Sequence, residues 1–299
     1  MIYRHVDTLR ALGIEAFVLH RRPGFRCTWF DNVTPVTNSR HARLTPNDIL
    51  VVPEYYGTSL SSVSAVPRLL VFNQRAYDTF DLIDYEQTPR GAPYTGLSNL
   101  VGLMTVSVDN AEYLRYAFPD TPVFRTRNVI DRTIFFPASA LMRRHQIAFT
   151  PRRRGSDVVQ LQHLLRARGL LDSWALAPVM GRSELETASI MRSSMIFISL
   201  NEREGFGLPP AEAMASGCFV VGYPGLAGRE YFNDSYCSPV PEGDILALVR
   251  AVEQACEDGA ARSEALLARG AAASEHILST YSEVGLEADL SSVFEPLVR

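Results

Sequence analysis

The stretch EGFGLPPAE, residues 204–212, sets a carboxylate at each end of a turn that must bend and then start a helix. It follows MIFISL, residues 195–200, an apolar run that reads as a buried strand. In an open parallel sheet, ligands sit beyond the carboxyl ends of the strands, which is where this turn falls. Gly205 and Gly207 permit positive φ and close backbone approach, and Pro209 in a first helical turn forfeits no needed N–H. Free amides and the positive end of the helix macrodipole then make a seat for a phosphate or a polar sugar. Glu212, placed in the first helical turn, would gain about 0.3–1 kcal/mol from the dipole, so a purely structural role explains it. Glu204 has no such explanation. It is either an exposed loop residue or an acceptor of hydrogen bonds from ligand hydroxyls.

A second cluster of chemical interest is TPRRRGSD, residues 150–157, after the strand-like HQIAFT at 145–150. Arg152, Arg153 and Arg154 can each offer paired N–H groups to a phosphate; the competing reading is a solvated charge run. The chain contains no lysine, so Schiff-base chemistry and a P-loop lysine are excluded. No D-x-D pair stands at a strand end, which favours fixed cations over a metal ion for stabilising a departing anion. Cys27, Cys218, Cys237 and Cys256 lack zinc-site or disulfide-framework spacing, and the expected compartment is the cytoplasm. No run reaches the length of a membrane span. His5, His20 and His163 are lone and read as packing or surface residues.

The elements that must position these groups alternate in type. Strand-length runs at 15–20, 48–54, 68–74 and 103–108 are followed by a helix over 109–119 and a strand over 123–131. The pattern restarts at 145–150, with Ser156 capping a helix that buries Val158, Leu161 and Leu165 and ends at Gly169. Ser183 and Glu186 form a capping box, and CFVVGYPG at 218–225 is another buried strand. Ile245, Leu248, Val249, Val252 and Cys256 share one helical stripe that Gly259 should end. The 299 residues thus make two doubly wound α/β lobes facing a cleft: 1–137, 138–275 and a helical tail over 276–299 that crosses back to the first lobe. With 46% apolar and 21% charged residues the composition is globular, which excludes disorder and fibrous repeats.

EGFGLPPAEAMASGCFVVGYPGLAGREYF, residues 204–232, resembles the E-x7-E segment of the two-lobed GT-B glycosyltransferases of group 1 (family 4-like), which transfer with retention. The likeness continues upstream through ELETASIMRSSMIFISL, and NVIDRTIFFP at 128–137 resembles the exit from an acceptor lobe. The resemblance implies that Glu204 accepts from donor-sugar hydroxyls and that Glu212 binds the ribose of a nucleoside diphosphate sugar. It implies that Gly205, Phe206, Gly207 and Leu208 hold the sugar and diphosphate, while Gly225 and Gly228 let a second loop approach. Arg152 and Arg153 would take the catalytic place that an arginine and a lysine fill in relatives. Asn73, Gln74 and Tyr77 would lie on the acceptor side, where relatives often carry histidine. The implied reaction needs no cofactor or metal and takes a nucleotide sugar to a glycan, lipid-linked or small-molecule acceptor, as in polysaccharide biosynthesis. No nucleic acid is involved, and contact is at most peripheral to a membrane. A nucleotide-sugar epimerase and a non-catalytic binding subunit are the alternatives; a phosphorylase would need a lysine for its cofactor.

MIYRHVDTLRALG already reads as a helix, and IEAFVLH as the strand after it. In the usual order a central strand precedes that helix, so the expectation is a first lobe that lacks its first strand and has low turnover.

Overall fold

The computed structural model describes residues 1–28, 30, 32–63, 65–81 and 83–298. Contacts divide the chain into two compact units, Met1–Val129 with Glu283–Arg299, and Ile130–Ser282. The division thus falls before NVIDRTIFFP ends rather than after it.

The first unit begins with α1 (Ile2–Ala11), which buries His5, Val6 and Leu9. The expected strand over 15–20 is confined to β1 (Val18–His20), paired in parallel with β2 (Val36–Asn38), a strand with no sequence forecast. A separate four-stranded parallel sheet has the order β3 (Leu50–Pro53), β4 (Leu69–Asn73), β5 (Leu100–Thr105) and β6 (Val123–Arg125). No ladder joins the two sheets among the described residues, and the break falls beside Val18–His20, where the sequence reading places a gap. α2 (Val108–Ala117) starts earlier than expected because Ser107 caps it, accepting from the Asn110 N–H at 3.2 Å. The core under this sheet is built from Leu60, Leu69, Val71, Leu103, Leu114 and Phe118.

The second unit holds β7 (Arg144–Phe149), α3 (Gly155–Ala167), β8 (Ala175–Pro178), α4 (Glu184–Ser193), β9 (Ser194–Leu200), α5 (Leu208–Ala215), β10 (Phe219–Tyr223), β11 (Ser238–Pro239), α6 (Ile245–Ala261) and α7 (Ser263–Thr280). Its strands form one parallel sheet in the order β11, β10, β9, β7, β8. Every residue of β9 is buried, so this strand is apolar on both faces, as the centre of a doubly covered sheet requires. Its core includes Ile147, Leu161, Leu165, Trp174, Ile196, Val221, Leu248 and Val252, each large side chain stabilising by about 1.5–3 kcal/mol. Two helix-end forecasts change. Ser156 is not the cap of α3; Arg154 stands there at φ 49°, in the left-handed region. α6 runs through Gly259, which is buried because a Cβ there would lie 2.9 Å from the Trp174 ring. Ser183 and Glu186 do form the capping box of α4. The final helix, α8 (Glu283–Val298), groups with the first unit, where Asp289 pairs with Arg127 at 2.8 Å.

Candidate functional site

The carboxyl end of β9 runs into Asn201, after which Arg203 takes φ 45° and turns the chain into Glu204. The Glu204 N–H donates to the Gly225 carbonyl at 3.0 Å, a bridge that joins the loop after β9 to the loop after β10 beyond the end of the sheet. Gly225 has φ +69°, and a Cβ on it would lie 2.4 Å from the Asn201 Cβ, so only glycine fits. The Ala227 N–H donates to the same Gly225 carbonyl at 3.0 Å, closing a γ-turn with Leu226 at φ 70° and ψ −72°. This non-glycine residue in a sparsely populated conformation costs about 1–3 kcal/mol, strain of the kind that gathers at ligand sites.

Gly207, at φ +88°, is the residue before α5. A Cβ there would meet Asn201 Nδ2 at 2.3 Å and the Tyr231 hydroxyl at 2.8 Å. Tyr231 donates to the Gly207 carbonyl at 2.7 Å, and its ring packs on Phe206, which is itself buried. The turn is therefore pinned from behind while its N–H groups point the other way. Gly205, by contrast, stays outside the left-handed region; Arg203 and Gly207 make the bend. Gly228 donates from its N–H to the Pro224 carbonyl at 3.1 Å and packs on Tyr231. Because Pro209 and Pro210 lack N–H groups, the orphan donors at the start of α5 are those of Gly207 and Leu208.

The two carboxylates differ sharply in setting. Glu204 accepts from Arg153 Nε at 3.2 Å, with the arginine side chain 34% exposed and the glutamate 13%. Glu212 lies beyond the first turn of α5, which begins at Leu208, so the dipole argument for it does not hold. Its carboxylate has no hydrogen-bond or ion-pair partner among the described residues. Burial pushes its pKa up to about 7, with the Glu184 carboxylate as a smaller contribution.

The three arginines occupy three settings. Arg152 is exposed and lines one cavity with Arg153, Asn201, Glu204 and Pro209. Arg153 holds Glu204. Arg154 is a brace: it donates from Nε to the Asn201 carbonyl at 3.1 Å, pairs with Glu242 at 2.5 Å, and lies over the Tyr223 ring. Glu242 in turn accepts from the Gly225 N–H at 2.7 Å, so one ion pair ties together the loops after β7, β9, β10 and β11. Asn201, Tyr231, Leu226 and Glu242 have no place in the sequence reading; GREYF contains Tyr231, but only its glycine drew attention. Among the described residues no group of three or more His, Cys, Asp or Glu is placed to hold a metal ion.

In the first unit, the corresponding edge is tied up internally. Asn73 is fully buried, and its Oδ1 accepts from Tyr94 at 2.7 Å and Thr79 at 3.2 Å. Its side chain therefore holds a turn instead of facing an acceptor, which corrects the sequence reading of its position. Tyr77 donates to Asp109 at 2.8 Å, and the N–H groups of Gln74 and Arg75 donate to Glu54 Oε1 at 3.0 and 2.9 Å. The Gln74 side chain is partly buried.

The fold and this edge define a glycosyltransferase of the GT-B kind, and the comparisons agree. Residues 154–271 match the family described as glycosyl transferases group 1. An alpha-1,6-glucosyltransferase of Actinobacillus pleuropneumoniae serotype 7 is 28% identical over 274 residues, covering 85% of this chain and 78% of its own. A glycosyltransferase from Rickettsia africae superposes with a TM-score of 0.65 at 11% identity, covering 99% of this chain and 93% of that one. HepE from Anabaena, solved with UDP and glucose, superposes with a TM-score of 0.58 at 10% identity over 82% and 78% of the two chains. The chain belongs to the group 1 glycosyltransferases. No helix of the described residues is long and apolar enough to cross a membrane.

Proposed function

We propose that the protein transfers a sugar, with retention and without a metal ion, from a nucleoside diphosphate sugar to a hydroxyl acceptor. One observation carries this reading: a paired Arg153–Glu204 and an unpartnered Glu212 flank the single helix start that offers the Gly207 and Leu208 amides. Glu212 accepts from the ribose hydroxyls. The diphosphate lies against those two amides and the guanidiniums of Arg153 and Arg152, whose fixed positive charge meets the charge that develops as the anomeric C–O bond breaks. Glu204 accepts from hydroxyls of the sugar and orients the ring. The acceptor oxygen attacks from the face that the diphosphate leaves, and its proton passes to the departing diphosphate, so the protein supplies orientation and electrostatics rather than a covalent nucleophile. The acceptor is a glycan, a lipid-linked sugar or a small molecule. That the Anabaena and Actinobacillus proteins are named with UDP and glucose, and as a glucosyltransferase, supports a nucleotide-linked hexose as the donor.

The test is a panel of nucleotide sugars assayed for thermal stabilisation and for transfer to simple glycosides, with excess chelator present. The reading expects one donor to raise the melting temperature and to yield a product of unchanged anomeric configuration in chelator. Loss of activity in chelator that magnesium restores, or an inverted product, would overturn it.

A further inference from the structure

We infer that the Arg153–Glu204 ion pair is a latch that the intact donor opens and that closes again on the spent nucleotide, driving product release. The inference rests on the donor site just proposed. Without ligand, the Arg153 guanidinium donates from Nε to Glu204 Oε1 at 3.2 Å, so the group that must meet the diphosphate and the group that must meet the sugar satisfy each other. Both side chains reach one cavity, and neither is fully buried, so the pair can be exchanged for ligand contacts without opening the core.

The chemistry of the ligand decides whether that exchange is favourable. A nucleotide sugar brings anionic oxygens for Arg153 and hydroxyl donors for Glu204, and both ends of the broken pair are satisfied again. A free nucleoside diphosphate brings only the anion. It can take Arg153, but it then leaves the Glu204 carboxylate, with its side chain 13% exposed, without its cation and close to a like charge. After transfer the hydroxyls have left with the acceptor, and Glu204 competes with the diphosphate for Arg153. Glu204 cannot swing away to avoid that competition, because its backbone is fixed by the bond from its N–H to the Gly225 carbonyl at 3.0 Å. The same carboxylate thus favours the donor and disfavours the product, which gives the site a preference for the intact nucleotide sugar over the nucleoside diphosphate.

The test is calorimetry on the full chain with UDP, GDP, ADP and dTDP, using whichever binds the parent best, in a cycle of parent, Glu204→Gln, Arg153→Gln and the double variant. Both side chains are partly exposed, and Gln keeps their approximate shape, so the fold should survive; matching melting curves verify this. Glu204→Gln should bind the nucleoside diphosphate about two- to fivefold more tightly than the parent, the range that a partly exposed ion pair is worth, while transfer falls. In the Arg153→Gln background the same change should leave affinity as it was. Equal tightening in both backgrounds would mean that Glu204 merely repels the anion at a distance, and the latch would be wrong. So would an unchanged or weaker affinity in Glu204→Gln, with the donor site left standing. If none of the four nucleotides binds the parent, the donor site itself is wrong and the latch falls with it.

Discussion

The carboxyl edges of the two sheets are built from similar polar residues and use them in opposite ways. In the first unit Asn73, Tyr94, Thr79, Glu54, Tyr77 and Asp109 bond to one another or to nearby backbone. In the second, Glu212 is left without a partner, Arg152 is exposed, and Glu204 is held only by a partly exposed arginine. Polar groups buried with partners specify a turn; groups left unpartnered at a glycine-bent strand end cost stability and are retained for a ligand. The second edge is therefore the ligand site, and acceptor contacts in the first unit must come from side chains such as Gln74 that the internal network does not consume.

This contrast can be broken by mutation. The largest effect should come from Glu204→Ala, which lowers transfer about a hundredfold or more while changing stability by no more than about 1 kcal/mol, since the pair it breaks is partly exposed. A collapse in melting temperature would make Glu204 a structural residue. Asn73→Ala should do the reverse: it strands the Tyr94 and Thr79 hydroxyls and costs about 1–3 kcal/mol of stability, read from urea denaturation. An Asn73→Ala protein as stable as the parent but inactive would place Asn73 at the acceptor after all.

A subtler test uses pH. Glu212 has its pKa raised from 4.5 to about 7 by burial, so the native state holds a proton that the unfolded chain has released between those values, and stability should fall as pH rises through that window. Ribose hydroxyls need the ionised carboxylate as an acceptor. Nucleoside diphosphate affinity should therefore drop about tenfold from pH 8 to pH 6, beyond the drop seen in Glu212→Gln, which corrects for titration of the phosphate itself. Identical profiles would remove Glu212 from the ribose. The smallest effect is expected from Arg152→Gln, where a change in transfer of no more than about threefold is consistent with its exposure.

Much of the second unit was legible because its signals are local. The apolar run of β9, the capping box at Ser183 and the stripe on α6 each depend on a few neighbouring residues, and each appears in the structure. What escaped depends on meetings between distant segments. Asn201 acquires its place only when Gly207 and Gly225 fold against it, and Glu242 only when its loop reaches Arg154. Ser156 failed as a cap because Arg154, drawn to Asn201 and Glu242, turns the chain one residue before Gly155. In the first unit β2 spans only Val36–Asn38 amid polar residues, too short a pattern for period-two alternation to stand out.

The most direct measurement is a crystal structure of the protein with the tightest-binding nucleoside diphosphate. The account predicts ribose hydroxyls within hydrogen-bonding distance of Glu212, a diphosphate against the Gly207 and Leu208 amides, and the Arg153 guanidinium turned from Glu204 to the phosphate. A nucleotide seated elsewhere, with Glu212 still unpartnered and Arg153 still on Glu204, would contradict it.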